Sequence, residues 1–203
     1  QVLDLCAGGG GKTLALAAAM GNSGQLYAHD ADALRLSDTV RRAQRAGVRN
    51  LQVKSPLHAD ALAGLEGRID VVFVDAPCTG SGTWRRHPDA KWRLRPAQLE
   101  RRQQEQDEVL AAAGGFVKPG GRMIYVTCSL LMEENEDRIA AFMAAHPDFS
   151  IASALDQIAA SGLVEPSALA MLAERRTAEG FLRLTPLTTG ADGFFIAVLE
   201  RRG

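Results

Sequence analysis

Two cysteines each stand just beyond an apolar run. Cys78 lies in Val71-Val72-Phe73-Val74-Asp75-Ala76-Pro77-Cys78-Thr79-Gly80-Ser81-Gly82, and Cys128 in Tyr125-Val126-Thr127-Cys128-Ser129. A lone cysteine in such a place is usually a small, inert core residue. Two of them, with Asp75 close by, suit covalent catalysis instead. One thiolate adds to an electron-poor carbon, a second group handles a proton, and an acid stabilises the charge that builds up. The residues alone leave open which thiol attacks.

A second constellation is Asp4-Leu5-Cys6-Ala7-Gly8-Gly9-Gly10-Gly11-Lys12-Thr13, which follows the first apolar run and opens a helical pattern. Glycines there let a ligand approach the backbone, and the start of a helix favours negative charge. The phosphate-loop pattern fails because Cys6 stands where it needs glycine, and the dinucleotide pattern counted from Gly8 fails at Thr13. Tight packing alone is a poor account of four consecutive glycines, which lower local stability. Asp30 ends the second apolar run, about 20 residues on, where doubly wound folds place an acid on ribose hydroxyls; a plain helix cap is the simpler reading. Asp60, in Ser-Pro-Leu-His-Ala-Asp, suits an adenine amino group, although most loop aspartates face water. Together the two acids point to an adenosine cofactor. The thiol of Cys6 reads as an ordinary core group whose backbone touches that cofactor.

These residues must be held at one rim. Strands are expected at Val2–Cys6, Gln25–His29, Leu51–Lys54, Ile69–Val74 and Met123–Thr127, with helices at Lys12–Met20, Ala33–Ala46, Pro96–Val117 and Glu133–Ala145. Strand and helix alternate, which implies crossovers and a mostly parallel, doubly wound α/β sheet covered on both faces. Phe181–Leu184 and Phe194–Leu199, joined by a turn-rich stretch, are expected to close the sheet as an antiparallel edge hairpin. Ser150–Glu179 is weakly patterned and reads as a partly helical insertion.

At 203 residues and 46% hydrophobic content the chain fits one domain spanning residues 1–203. Its net charge of -1 gives no global attraction to polyanions, so a nucleic-acid contact needs a local patch. Between Trp84 and Arg102 the chain carries Arg85, Arg86, Lys91, Arg93, Arg95, Arg101 and Arg102 against Asp89 and Glu100, with Trp92 among them. Such a run grips phosphates and stacks bases. Its loop part, Arg85, Arg86 and Lys91, is the better placed for substrate, whereas Arg101 and Arg102 read equally well as a solvated helix face. The three cysteines include no CxxC pair and the four histidines are scattered, so neither a disulfide framework nor a metal site is expected. Reduced thiols suit a cytoplasmic protein, no apolar run reaches membrane-spanning length, and the opening Gln1-Val2-Leu3-Asp4 suggests a piece of something longer.

Asp-Ala-Pro-Cys-Thr-Gly-Ser-Gly together with Val-Thr-Cys-Ser resembles the Fmu/Sun family of RNA cytosine-5 methyltransferases. So do Trp84-Arg85-Arg86-His87-Pro88-Asp89-Ala90-Lys91-Trp92, Lys118-Pro119-Gly120-Gly121, Glu133-Glu134-Asn135-Glu136 and Asp192-Gly193-Phe194-Phe195. The chemistry is coherent with that resemblance, because carbon 5 of cytosine is a poor nucleophile until a thiolate adds at carbon 6. The resemblance implies a Rossmann-like class I fold and S-adenosylmethionine bound by Cys6 through Lys12, with Asp30 on ribose and Asp60 on adenine. It implies Cys128 as nucleophile, Cys78 assisting release, and Asp75 contacting the cytosine or the cofactor's methionyl part. DNA cytosine methyltransferases attack from a Pro-Cys cysteine, which would give Cys78 the first role. The expected partner is ribosomal or transfer RNA presenting an unpaired or flipped cytosine to a monomer, with RNA-binding segments of the parent protein lying before the first strand. A non-catalytic RNA-binding or ribosome-assembly factor on the same fold is the alternative. One departure stands out: the family reads Cys-Ala-Ala-Pro-Gly-Gly-Lys, and Gly8 and Gly9 replace Ala and Pro here, so a looser loop and a modest loss of cofactor affinity are expected.

Overall fold

The computed structural model describes residues 1–58 and 60–203. Its elements are β1 (Val2–Asp4), α1 (Gly11–Ala19), β2 (Leu26–His29), α2 (Ala33–Arg45), β3 (Leu51–Lys54), β4 (Ile69–Asp75), α3 (Ala90–Arg93), α4 (Pro96–Phe116), β5 (Val117–Thr127), α5 (Glu136–Ala145), β6 (Phe149–Ala152), α6 (Ala154–Ala160), α7 (Pro166–Ala173), β7 (Leu182–Leu184), α8 (Pro186–Thr189) and β8 (Phe194–Arg201). The strands form one sheet in the order β3-β2-β1-β4-β5-β8-β6, with β7 also paired to β8. β1 to β5 run parallel, and β6, β7 and β8 pair antiparallel. This is the doubly wound α/β architecture read from the sequence. Strand order reverses across β1 and β4, which opens a crevice beyond their carboxyl ends.

The helices are placed by their apolar faces. Leu36, Thr39 and Ala43 turn one side of α2 inward, and the Asp32 side chain caps its start by accepting from the amides of Leu34 and Arg35. Gln106, Leu110, Ala113 and Phe116 make the buried stripe of α4, against the main core of Leu3, Ile69, Val72, Val74, Met123 and Tyr125. Gly114 lets that helix lie on Phe142, whose ring would sit 3.0 Å from an added Cβ.

Three elements differ from the sequence reading. β5 begins at Val117, and the Lys118–Gly121 stretch forms an irregularity: Val117 pairs with Ile69, but Arg122 already pairs with Val71. The helix expected over Glu133–Ala145 starts at Glu136 instead. Asn135 takes a non-helical backbone (φ -116°, ψ -98°), with its side chain bonded to Thr127 and Ser129. The weakly patterned stretch contains the end of β6, then α6 and α7. A four-residue strand that pairs with β8, some fifty positions away, has no local signature. The late hairpin pairing of β7 with β8 forms as expected, yet β8 is itself covered on that flank by β6 and β7, so these two make the edge.

Candidate active site

The glycine loop leaves β1 through Ala7, whose amide donates to the carbonyl of His29 at 2.9 Å. Gly8 takes φ +52° and donates its amide to Asp30 Oδ2 at 2.7 Å. Its carbonyl accepts from Thr39 Oγ1 at 3.0 Å, and the Gly9 carbonyl accepts from the Arg42 guanidinium. Only glycine fits at position 10, where φ is +80° and a Cβ would lie 2.7 Å from Thr39 Oγ1. An alanine followed by proline is disfavoured in the left-handed state of Gly8, so this backbone path depends on glycine at position 8.

The loop rims a cavity of about 1160 Å³. Cys6, Ala7, Gly8, Gly9, Gly11, Lys12, Asp30, Asp75 and Cys128 line it, with Leu62, Val109, Ala112 and Phe116 on its apolar side. Gly10 lies behind, packed on Thr39. Asp60 is exposed in a turn, outside the lining, with its carbonyl accepting from the Ala63 amide. Lys12 Nζ donates to Asp75 Oδ2 at 2.5 Å across the mouth. Asp30 spends one oxygen on Gly8 and the other on the Asp32 amide, and each retains a lone pair for a ribose hydroxyl. An apolar wall for a flat base, an acid for the sugar and the Lys12 ammonium for a carboxylate fit S-adenosylmethionine.

Cys78 and Cys128 come together with their sulfurs 3.4 Å apart. The two loops are stapled: Ser81 Oγ and Ser129 Oγ lie 3.0 Å apart, the Leu130 amide donates to Ser81 Oγ at 2.8 Å, and the Gly82 amide donates to the Cys128 carbonyl at 2.9 Å. The shared hydrogen bond holds Cys128 below the ordinary thiol range, with burial opposing and Lys12 helping. The same bond and burial push Cys78 up. Cys6 is pushed up too, first by burial and then by Asp30, which suits an inert thiol. Cys128 is therefore the thiol poised to ionise.

The basic run divides. Arg85 and Arg86 converge on Asp192, with Arg86 Nε donating to Oδ2 at 2.6 Å. Lys91 lies over the ring of Trp92, 4.6 Å from its centroid, and Trp92 is 73% exposed. Arg101 and Arg102, read as equally compatible with a solvated helix face, share Glu105 and line both the large cavity and a smaller one of about 280 Å³. Cys78, Thr79, Arg93 and Gln98 complete the smaller cavity's polar lining.

Several contributors lack a local signal. Asp4 is fully buried, accepts from Thr13 Oγ1 at 2.6 Å and is pushed up to about 6, first by burial. Gln106 stands in the apolar stripe of α4, and its polar type at a core position is the one hint the sequence offered. Glu134 and Asn135 belong to a motif quoted above without a role. Among the described residues there is no cluster of three or more His, Cys, Asp or Glu side chains suited to a metal, and no helix long and apolar enough to cross a membrane.

The profile of the family described as 16S rRNA methyltransferase RsmB/F matches residues 1–200. Ribosomal RNA small subunit methyltransferase B of Klebsiella pneumoniae is 40% identical over 149 residues, 73% of this chain and 34% of that protein. A probable counterpart from Synechocystis is 32% identical over 98% of this chain and 43% of that protein. The chain thus spans well under half the length of these relatives. NSun6 from Pyrococcus horikoshii, solved with SFG, superposes with a TM-score of 0.77 at 25% identity, covering all of this chain and 48% of the other. A methyltransferase homolog from Pyrococcus horikoshii does so at 0.74 and 30% identity, over 98% of this chain and 61% of the other. With the profile covering nearly every residue, the chain belongs to the 16S rRNA methyltransferase RsmB/F family.

Proposed function

We propose that this chain transfers a methyl group from S-adenosylmethionine to carbon 5 of a cytosine in RNA, through a Cys128 adduct at carbon 6 that Cys78 helps to resolve. The observation that carries the reading is the 3.4 Å contact of the two thiols at the junction of the two cavities, Cys128 lining the larger and Cys78 the smaller. Bound in the larger cavity, the cofactor supplies an electrophilic methyl group. Gly8, Gly9, Lys12 and Asp30 would hold it.

Cys128 adds to carbon 6 of a flipped or unpaired cytosine and so makes carbon 5 nucleophilic. Asp75, held by Lys12, accepts from the exocyclic amine, while the ammonium of Lys12 offsets the charge that builds on the ring. After methylation, Cys78 takes the carbon 5 proton and the Cys128 thiolate leaves. Arg93, Arg101 and Arg102 face the flanking phosphates, and Trp92 offers a stacking surface. The substrate class follows the relatives' names: RNA of the small ribosomal subunit.

The test is a denaturing gel of Cys78→Ala and Cys128→Ala incubated with cofactor and cytosine-containing RNA. A shifted RNA–protein band in Cys78→Ala alone is expected. A band in Cys128→Ala alone reverses the roles, and RNA binding without a band or methyl transfer in any form favours the assembly-factor alternative.

A further inference from the structure

Behind the thiol pair lies a fully buried carboxylate that the reaction above does not use. Glu134 Oε1 accepts from the Thr79 amide at 2.8 Å and from Gln106 Nε2 at 3.1 Å, and Oε2 accepts from Thr79 Oγ1 at 2.5 Å. Gln106 Nε2 also donates to the Pro77 carbonyl at 2.8 Å. The residues on either side of Cys78 are therefore clamped by one buried acid and one buried amide. The Glu134 backbone is pinned in turn, its carbonyl accepting from Tyr125 Oη at 2.8 Å.

Cys128 has a different scaffold. Thr127 Oγ1 donates to Asn135 Oδ1 at 2.6 Å, and Asn135 Nδ2 donates to the Ser129 carbonyl at 3.0 Å. Each thiol thus has its own support, and the two supports are adjacent residues of one turn. Three donors converge on Glu134, the partner set of an ionised carboxylate, and a buried charge is costly to retain where a neutral side chain of the same length would fit. The charge faces the Cys78 side of the pair. It disfavours a second negative charge there, which leaves ionisation to Cys128 in the resting site, and it strengthens Cys78 as a base once its own proton has gone.

We propose that Glu134, with Thr79 and Gln106, is the positioning residue of the release step, holding Cys78 where it meets the carbon 5 proton. This rests on the thiol roles proposed above. With Cys128 bound to carbon 6, Cys78 gives its resting proton to water and then takes the proton of carbon 5. The electrons of that C–H bond form the carbon 5–carbon 6 double bond, the bond from carbon 6 to sulfur breaks, and its electron pair returns to Cys128. None of these contacts touches Cys128 itself, so attack is expected to slow less than release when they are lost.

Glu134→Gln keeps the length and removes the charge, and Gln106 Oε1, which has no partner among the described residues, can accept from the new amide after a flip. The expected result is methyl transfer of about one equivalent per protein, turnover slowed at least tenfold, and an RNA adduct that survives denaturation as in Cys78→Ala. Thr79→Val is expected to accumulate adduct as well, and Thr79→Ser to release it faster than Thr79→Val. These Thr79 variants decide the matter should Glu134→Gln fail to fold. A folded Glu134→Gln protein that turns over without adduct, or that loses the first methyl transfer along with release, overturns the assignment. If Cys78→Ala traps RNA and Glu134→Gln does not, this inference fails alone. If Cys78→Ala traps none, the covalent reading fails beneath it.

Discussion

Asp4 shows how far one buried group is bent by its surroundings. One of its oxygens accepts from Thr13, and the other has no hydrogen-bond partner among the described residues. Burial, opposed by Thr13 and reinforced by Asp75, raises its carboxyl from 3.8 to about 6. The folded chain therefore keeps a proton that the unfolded chain gives up between those values, so this group's contribution to stability falls as pH rises through that window. Above it, the charged form costs about 3 kcal/mol at most. Asp4→Asn is expected to unfold at higher urea than the parent near pH 8, with the gain fading toward pH 4. An equal gain at both pH values would place the effect in packing rather than in charge. The thiol pair follows the same logic: Cys128 owes its acidity first to the Cys78 hydrogen bond. In Cys78→Ala, alkylation of Cys128 by iodoacetamide should need a higher pH than in the parent, and an unchanged profile would remove Cys78 as its cause.

At the level of elements, the site is a seam between the segments that follow β4 and β5 and the head of β8. Gly82 and Gly193 make the closest approach: the Gly193 amide donates to the Gly82 carbonyl at 2.8 Å, and a Cβ on Gly82 would lie 2.5 Å from the Gly193 carbonyl oxygen. The obstacle is backbone, which cannot swing away as a side chain can. Gly82→Ala is expected to lower stability by about 1–3 kcal/mol, the cost of overpacking, and to lower RNA adduct yield by spreading the cysteines. Thermal melts and the adduct gel check both, and an unshifted melt would show that the seam has slack. The motif Asp192-Gly193-Phe194-Phe195 gains a physical meaning here. Asp192 ties down Arg85 and Arg86, Gly193 admits the loop of Gly82, and Phe195 is fully buried beside Tyr125 and Phe181.

Across the whole molecule, charge is nearly balanced at -1, so any attraction to RNA has to be local. Arg93, Arg101 and Arg102 gather at the small cavity beside Cys78. Binding to single-stranded RNA, followed by fluorescence anisotropy, is expected to weaken with salt. The triple variant Arg93→Ala/Arg101→Ala/Arg102→Ala should make the slope of log affinity against log salt shallower by about 2, at roughly 0.7 per phosphate released. An unchanged slope would move the phosphate contacts elsewhere, with Arg85, Arg86 and Lys91 the next to replace. The sheet sets this arrangement, since the glycine loop, both cysteine loops and α4 all reach the carboxyl-end crevice that the strand order opens.

The sequence by itself determined the doubly wound class, because alternating apolar runs and helical stripes encode which face of each element is buried. It also singled out Cys78, Cys128, Asp75 and the glycine loop as candidates, because their chemistry is tied to residue type next to a strand end. Periodicity names a face and never the partner across it, and the tertiary structure decided the rest. Fifty positions separate the cysteines, and the pairing of β4 with β5 and the hydrogen bonds between the loops that follow them bring their sulfurs to 3.4 Å. Gln106 hints at itself only as a polar residue in an apolar helical stripe, Glu134 offers no such hint, and burial is what sets both apart. The sequence left Arg101 and Arg102 between a solvated face and a phosphate grip, and the packing of α4 puts both at the lining of the small cavity. The short β6 had no pattern to read, since it exists through its ladder with β8. Contacts between distant segments depend on the closed geometry of the whole sheet, and no local window of sequence contains that information.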